Sequence, residues 1–366
     1  MYIYIANIIL STLFFKMSEQ LKSKASLILA FVIPCLVAGL RDTWIGTDIA
    51  VYAADIYWRA SSTPSFIHLL GQFPNQPPGF LLLSWIVSRV GINYFWLYLA
   101  ILQSFCIVPV YITLKNLAVD KIWLGMCAYL ILIFPPSLNM MKQCISVSFI
   151  FLSMIFIKKR NLPFFATTIL VASSMHQTAI MFAVIYPIYS FINSSKVDII
   201  VKYFSLLAIS ILFVLILIIF RRDFISLLAD SRDTYTYIAD RMNSSTFRQT
   251  NILILIYMII VHFFFIRESY YKNSSIKALF FTSEYFAILG WCAEFLSLIA
   301  AGLSRIGLYG QVFSCLYLIL ISKILPKKTA LVLQILYLLL ILFCSFHLII
   351  NGQNQIYPYS SRLLGI

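Results

Sequence analysis

Residues 330–350 read ALVLQILYLLLILFCSFHLII, a run of 21 residues without Lys, Arg, Asp or Glu. At about 1.5 Å per residue, a helix of this length is roughly 30 Å long, which matches the hydrocarbon thickness of a bilayer. The length and composition of this run predict a membrane-spanning helix.

The rest of the chain has the same character. Of the 366 residues, 61% are hydrophobic and 11% are charged, and the mean hydropathy is +0.93. A soluble domain carries about 25% charged residues, so this composition excludes a soluble protein. The apolar runs are continuous, whereas the strands of a transmembrane barrel alternate. We expect an all-α, polytopic integral membrane protein with about 11–13 transmembrane helices, built as one transmembrane domain over residues 1–366.

Thirteen apolar segments are candidate spans. They cover residues 2–15, 25–40, 78–91, 94–114, 122–136, 142–157, 162–175, 177–192, 199–220, 252–266, 277–301, 304–322 and 329–350.

The net charge of +14 comes mainly from basic residues that flank these segments. The positive-inside rule places such residues on the cytoplasmic side, so the charge indicates topology and not a nucleic-acid partner. Four basic clusters are expected inside, at residues 16–24, 158–160, 267–277 and 323–328. The loops 41–77 and 221–250 are then expected outside. Lys115 and Lys121 fit this arrangement only if segment 78–91 is re-entrant, which the prolines at 74, 77 and 78 favour.

The seven cysteines lie in or beside apolar runs, and none has CxxC spacing. They are expected to be buried thiols, because no spacing fits a disulfide framework or a metal site. The sequence also has no Walker A loop, GxSxG or HExxH motif. We expect no cofactor and no metal.

Polar residues that could carry chemistry lie at the predicted outer ends of spans. The most compact set, RDTWIGTDIAVY from Arg41 to Tyr52, follows the second span in a chain with only 13 acidic residues. The topology brings further polar residues to the same face: Lys142, Gln143, His176, Arg241, Glu294, Arg305 and Tyr309. This convergence predicts a functional site on the outer face of the membrane.

These residue types suit binding of a diphosphate beside a sugar. Arginine and lysine, here Arg41, Lys142, Arg305 and Arg241, can hold phosphate oxygens at a water-accessible surface. Asp48 or His176 could deprotonate a sugar hydroxyl as general base. Tyr52, Gln143, Tyr309 and Glu294 are candidates for positioning the substrate.

Structural interpretations stay open for each of these residues. Arg41 and Lys142 could be snorkelling side chains at span ends, and Asp48 could cap a helix that starts at Ile49. His176 could be an interfacial histidine with no part in catalysis. Glu294 lies in an otherwise apolar segment, where an ionisable residue is by default a functional candidate.

The pattern Arg41-xxxx-Gly46-Thr47-Asp48-xxx-Tyr52 resembles the hallmark of the EpsG-like polysaccharide polymerases, relatives of the Wzy O-antigen polymerases. Later elements follow in the order of that family. They are the Pro-Gly-aromatic-Leu-Leu segment at 78–82, the pair Lys142-Gln143 opening a span, His176 after a helix, and Arg305 near the last outer turn. The resemblance covers roughly residues 1–320.

Two positions depart from the family pattern. Lys142 stands where the family has the arginine of an Arg-Gln pair, which keeps the charge and loses bidentate geometry. Gln76-Pro77 stands where the family usually has a glutamate before Pro-Gly.

The resemblance implies a glycosyltransferase with a GT-C-like membrane fold in the bacterial inner membrane. Its donor would be an undecaprenyl-diphosphate-linked oligosaccharide, and its site would face the periplasm. Membrane lipid and a protein that regulates chain length would be its other partners. The alternatives are an O-antigen ligase, a polysaccharide transporter or flippase, and a membrane acyltransferase.

Overall fold

The computed structural model describes residues 1–118, 120–194, 197–219, 249–263, 274–298 and 303–366. The described residues are 83% helical, and no strand occurs among them. The prediction of an all-α, polytopic membrane protein is therefore confirmed.

The chain divides into two compact units. The first comprises Met1–Ala183 and Ile341–Ile366, and the second comprises Val184–Leu340. The prediction of a single domain stays a prediction.

Ten helices of the described chain lie wholly within the first unit. They are α1 Tyr2–Leu21, α2 Lys24–Gly39, α3 Ala54–Ser62, α4 Phe66–Gln72, α5 Pro78–Ser88, α6 Phe95–Leu117, α7 Ile122–Leu132, α8 Phe134–Ser137, α9 Met141–Lys158 and α10 Leu162–Met175. A π-helical turn at Ile49–Ala53 precedes α3, and a 3-10 segment at Gln177–Val184 follows α10.

Seven further helices follow in chain order. They are α11 Ile185–Asn193, α12 Ile199–Ile219, α13 Gln249–Val261, α14 Ser274–Cys292, α15 Leu308–Gln311, α16 Ser314–Ile324 and α17 Lys327–Ile350. The 3-10 turns Ala293–Leu298 and Leu303–Gly307 lie between α14 and α15.

Five helical stretches in the described ranges are long and apolar enough to cross a membrane. They are Ile92–Leu117, Met141–Lys158, Ile276–Ser297, Leu303–Ile324 and Lys327–Ile350. Seven shorter apolar helices accompany them in the same ranges.

Helices α2 and α6 run antiparallel, which decides where the segment between them lies. Gly39, at the end of α2, packs against Trp96 near the start of α6. Further along the pair, the rings of Phe31 and Tyr111 are 5.2 Å apart. Residues 40 and 95 therefore lie at the same end of the unit. The segment between them contains α5, whose 11 residues span about 16 Å, roughly half of a bilayer core. This geometry agrees with a re-entrant segment 78–91.

We call this end the motif end and the opposite one the basic end. The basic end holds Lys16, Lys22, Lys24, Lys115 and Lys121. Helix α9 runs parallel to α6, because Gln103 accepts a hydrogen bond from Ser137 at 2.8 Å and Cys106 O accepts one from Ser148. Lys142 thus lies at the motif end. Helix α10 returns alongside α9, so His176 lies there as well.

The segment after α17 also returns to the motif end. Gly46 N donates to Gln355 O at 2.9 Å, and Asp42 N donates to Ser360 O at 3.1 Å. Ser361 Oγ donates to Leu40 O. Residues 355–361 thus brace the loop that follows α2.

Candidate functional site

Arg41 fixes the loop after α2 to the turn between α8 and α9. Its side chain is 5% exposed, and its guanidinium donates to Leu138 O at 2.8 Å, to Ile45 O at 3.4 Å and to Ala38 O. Burial lowers the pKa of Arg41 to about 10, so the group is charged at neutral pH. Because these donors bind backbone carbonyls, the geometry favours a positioning role for Arg41 over contact with a diphosphate.

Gly46 allows this loop to turn beside the α8–α9 turn. Its φ is +83°, and a Cβ atom at this position would lie 2.5 Å from Leu138 O. A left-handed backbone and this close approach both require glycine. The turn delivers the next two residues, Thr47 and Asp48, to the start of the π-helical turn.

Asn139, in the turn between α8 and α9, accepts hydrogen bonds at the start of the π-helical turn. Its side-chain oxygen accepts hydrogen bonds from Asp48 N at 3.0 Å and from Thr47 Oγ1 at 3.3 Å. Backbone N–H groups at a helix start have no acceptor within their own helix. Asn139, which is 91 positions away in the sequence, provides the acceptor for the Asp48 N–H group. Sequence reasoning missed Asn139, although a polar residue between Pro136 and Lys142 was a usable signal.

Asp48 and Tyr52 form a hydrogen-bonded pair. Tyr52 Oη donates to Asp48 Oδ2 at 2.8 Å across the π-helical turn. Burial, followed by the charge and hydrogen bond of Asp48, raises the pKa of Tyr52 well above its usual range. The phenol therefore remains a donor at neutral pH. Turns of π-helix occur frequently at functional sites.

Lys142 approaches the same tyrosine from α9. Its Nζ lies 3.5 Å from the centroid of the Tyr52 ring and 5.6 Å from that of Phe80. Nζ also donates to Gln76 Oε1 at 2.7 Å. In the ranges that the structure describes, no carboxylate forms an ion pair with Lys142. The ammonium group contacts an aromatic face and a neutral amide, and the charge of Asp48 acts on it from beyond ion-pair distance.

His176 follows α10 close to the start of α5. Ser174 packs closely against Gly79, and a Cβ atom added at Gly79 would collide with the serine side chain. The His176 Nδ1 atom lies 2.7 Å from Thr178 Oγ1. The contact between Gly79 and Ser174 brings this end of α10 beside the Gln76–Lys142 pair. Gln143, the neighbour of Lys142, is buried within the unit.

The remaining predicted residues lie in the second unit or outside the described residues. Glu294 is 3% exposed and accepts a hydrogen bond from Asn251 at 3.0 Å. Tyr309 is buried, and Arg305 is exposed on the 3-10 turn Leu303–Gly307. Arg241 lies outside the described residues. The structure thus brings together Arg41, Asp48, Tyr52, Lys142 and the end of α10 in one unit.

Comparison with protein families adds an independent finding. The model of the EpsG family matches residues 24–361. The chain belongs to the EpsG family. This family is a Wzy-like polymerase family, so the chain is a Wzy-type polymerase-like membrane protein. Neither a curated protein nor a solved structure matches the chain significantly.

The structure adds a relation between the two positions at which this member departs from the family pattern. Lysine at 142 and glutamine at 76 contact each other directly, at 2.7 Å. A change in one of them therefore changes the environment of the other.

Proposed function

We propose that this EpsG-family protein is a polysaccharide polymerase that joins repeat units carried on undecaprenyl diphosphate. A hydroxyl of one lipid-linked unit attacks the anomeric carbon of the growing chain. A new glycosidic bond forms, the bond to the lipid diphosphate breaks, and the hydroxyl proton goes to a base. Because the leaving group carries the diphosphate charge, cationic side chains would stabilise it.

The observation that carries this proposal is the array Gln76, Lys142, Tyr52 and Asp48. Lys142 forms no ion pair within 4 Å with a described carboxylate, the charge of Asp48 acts on it from a greater distance, and an ammonium group suits a phosphate oxygen. Asp48 accepts a hydrogen bond from the hydroxyl of the same tyrosine at 2.8 Å. Tyr52 thus contacts both the cation proposed for the leaving group and the carboxylate proposed as the base.

We assign roles from this geometry. Lys142 binds the diphosphate, and Asp48 is a base candidate that Tyr52 orients. His176 is the alternative base. Arg41 positions the loop. Arg305, Glu294, Tyr309, Gln143 and Arg241 remain candidates for substrate binding, on the basis of the family resemblance.

The membrane orientation follows from charge. The basic end would face the cytoplasm by the positive-inside rule, which puts the motif end on the periplasmic face of the bacterial inner membrane. Lipid-linked donor and acceptor units would meet there. A GT-C-like fold and a partner that regulates chain length belong to the same proposal.

The described carboxylates within apolar helices favour a transferase over a transporter. Transport requires polar residues that line a path through the bilayer. Glu284 is instead hydrogen-bonded to His262 at 2.9 Å, and Glu294 is hydrogen-bonded to Asn251 at 3.0 Å. Both acids are buried within the second unit.

Lipopolysaccharide banding of a deletion strain tests the proposal. Wild type is expected to restore the ladder, whereas Asp48→Asn and Lys142→Gln are expected to give core plus one repeat unit. Asp55→Asn is the matched control for Asp48, because Asp55 is an exposed carboxylate paired with Arg59 in the same outer segment. His68→Ala is the matched control for His176→Ala, because His68 is exposed on α4.

The other outcomes have defined meanings. Normal ladders from the Asp48 and Lys142 variants would refute the site. Free core with accumulated lipid-linked chains in the deletion strain would indicate a ligase. An intact ladder in the deletion strain would refute the polymerase function.

A further inference from the structure

A cavity opens at the basic end of the first unit, far from the motif end. It has a volume of about 300 Å³ and lies between α1, α2 and α6. This volume is at the lower end of the range for small-molecule pockets, and it is sufficient for a headgroup. Lys22, Lys24 and Lys115 line it from three different elements, namely the α1–α2 turn, the start of α2 and the end of α6.

The charge of the cavity is positive. Its one carboxylate, Glu19, accepts hydrogen bonds from the backbone N–H groups of Lys121 and Trp123. In the part of the chain that the structure describes, none of the three lining lysines forms an ion pair. Three lysines against one hydrogen-bonded carboxylate leave a net charge that attracts a phosphate.

The floor of the cavity is aromatic. Phe15 and Tyr111 line it, and both pack against Phe31, with ring centroids 5.2–5.8 Å apart in each pair of the three. These contacts join α1, α2 and α6, so the cavity wall does not depend on the lysines. Lys115 Nζ lies 6.0 Å from the Tyr111 centroid. A basic rim over an apolar floor matches an amphiphile better than a free anion.

The surface beside the cavity is apolar and exposed. Ile28 and Val32 follow one another on α2 with exposures of 61% and 39%, and Ile112 of α6 is 39% exposed. In a membrane these side chains contact acyl chains. A lipid whose headgroup occupies the cavity could thus lay its tails along α2 and α6.

We propose that this cavity binds the phosphate headgroup of an anionic phospholipid. Basic pockets between helices on the cytoplasmic side are suited to such headgroups. The proposal concerns a lipid site at the opposite end from Lys142, and it does not depend on the proposed polymerase activity.

Native mass spectrometry of the detergent-solubilised protein tests this. The protein is titrated with dioleoylphosphatidylglycerol or with dioleoylphosphatidylcholine, and the retained lipid is counted. With three lysines contributing, wild type is expected to bind phosphatidylglycerol more tightly by a factor on the order of a hundred. The triple variant Lys22→Gln/Lys24→Gln/Lys115→Gln is expected to lose this preference.

Two further variants separate a site from general surface charge. Lys158→Gln/Lys159→Gln/Arg160→Gln removes equal charge from an exposed loop at the same end and is expected to keep the preference. Leu27→Trp fills the cavity, whose wall includes Leu27, and retains every lysine. It is expected to lose the preference, and it decides the question if the triple lysine variant does not elute as a monodisperse species.

Three results would overturn the proposal. They are equal binding of both lipids by wild type, an equal loss in the 158–160 variant, and an unchanged preference in Leu27→Trp. Displacement of phosphatidylglycerol by excess inorganic phosphate would indicate a free-phosphate site and would also overturn it.

Discussion

Replacing Gln76 by glutamate would place a carboxylate beside Lys142, at the position where Oε1 now accepts a hydrogen bond of 2.7 Å. A diphosphate oxygen bound to Nζ would lie about 3 Å from that atom, and so up to about 6 Å from the new carboxylate. At an effective dielectric constant of about 20, two such charges repel by about 3 kcal/mol. Lys142 is half-buried, and screening by solvent reduces this to about 2 kcal/mol, or roughly thirtyfold in affinity.

The assay is steady-state kinetics of the purified protein in nanodiscs, with a lipid-diphosphate-linked repeat unit as substrate. We expect Gln76→Glu to raise KM about thirtyfold, because the repulsion weakens binding of the diphosphate already in the ground state, and to lower kcat to a smaller extent, because the leaving diphosphate gains further negative charge in the transition state. Asn75→Asp is the matched control, since it adds the same charge to the same turn at an exposed position. Its KM is expected to stay within about twofold of wild type. An unchanged KM in Gln76→Glu, or an equal rise in Asn75→Asp, would refute the reasoning.

The double variant Gln76→Glu/Lys142→Arg tests the cause of that loss. A planar guanidinium can bind a carboxylate and a phosphate at the same time, whereas an ammonium is a point charge. We expect the double variant to recover most of the affinity that Gln76→Glu loses. A KM equal to that of the single variant, or above it, would show that Lys142 does not bind the donor.

Four more outcomes follow from the site. Gly46→Ala is expected to lower the free energy of unfolding by about 2 kcal/mol, and with it the thermal midpoint, which is the temperature at which half of the protein no longer elutes as a monodisperse species. A Cβ atom at Gly71 meets no atom within 4 Å, so Gly71→Ala is expected to leave both quantities unchanged. Asn139→Ala removes the acceptor of the Asp48 N–H group, so the initial rate is expected to fall about tenfold. Arg41→Lys is expected to lower kcat and the thermal midpoint with little change in KM, while a large rise in KM would indicate direct diphosphate binding. EDTA is expected to leave the rate unchanged, and restoration of an EDTA-sensitive rate by Mg²⁺ or Mn²⁺ would contradict this.

The apolar segments, together with the Lys, Arg and Pro residues at their ends, were sufficient to predict the positions of most helices. The predicted segments 162–175 and 142–157 correspond to α10 and α9, because Lys, Arg and Pro residues mark their ends. The predicted span 122–136 is interrupted instead, since α7 ends at Leu132 and the short α8 begins at Phe134. Pro135 and Pro136 lack the N–H groups that would continue one helix.

The site was predictable in its residue types and less so in its pairings. Asp48, Tyr52 and Lys142 were identified from a local motif and a family order. The contact between Gln76 and Lys142 spans 66 positions, and the one between Asn139 and Asp48 spans 91. A local sequence pattern does not indicate which residues contact each other across such separations in the chain. The same limit explains why Arg41 was expected to bind substrate, although its described donors hold backbone carbonyls.

The bracing of the motif loop by residues 355–361 has a consequence for biosynthesis. The loop leaves the ribosome early, but Leu40 and Asp42 bond to residues about 320 positions later in the chain. At synthesis rates of about 5–20 residues per second, that interval is roughly 15–60 s. Until those residues arrive, the N–H groups of Asp42 and Gly46 lack the carbonyls that hold the loop in the finished protein. Under the proposed function, activity would thereby depend on synthesis of residues 355–361, and a nascent chain would not elongate sugar before those residues have been made.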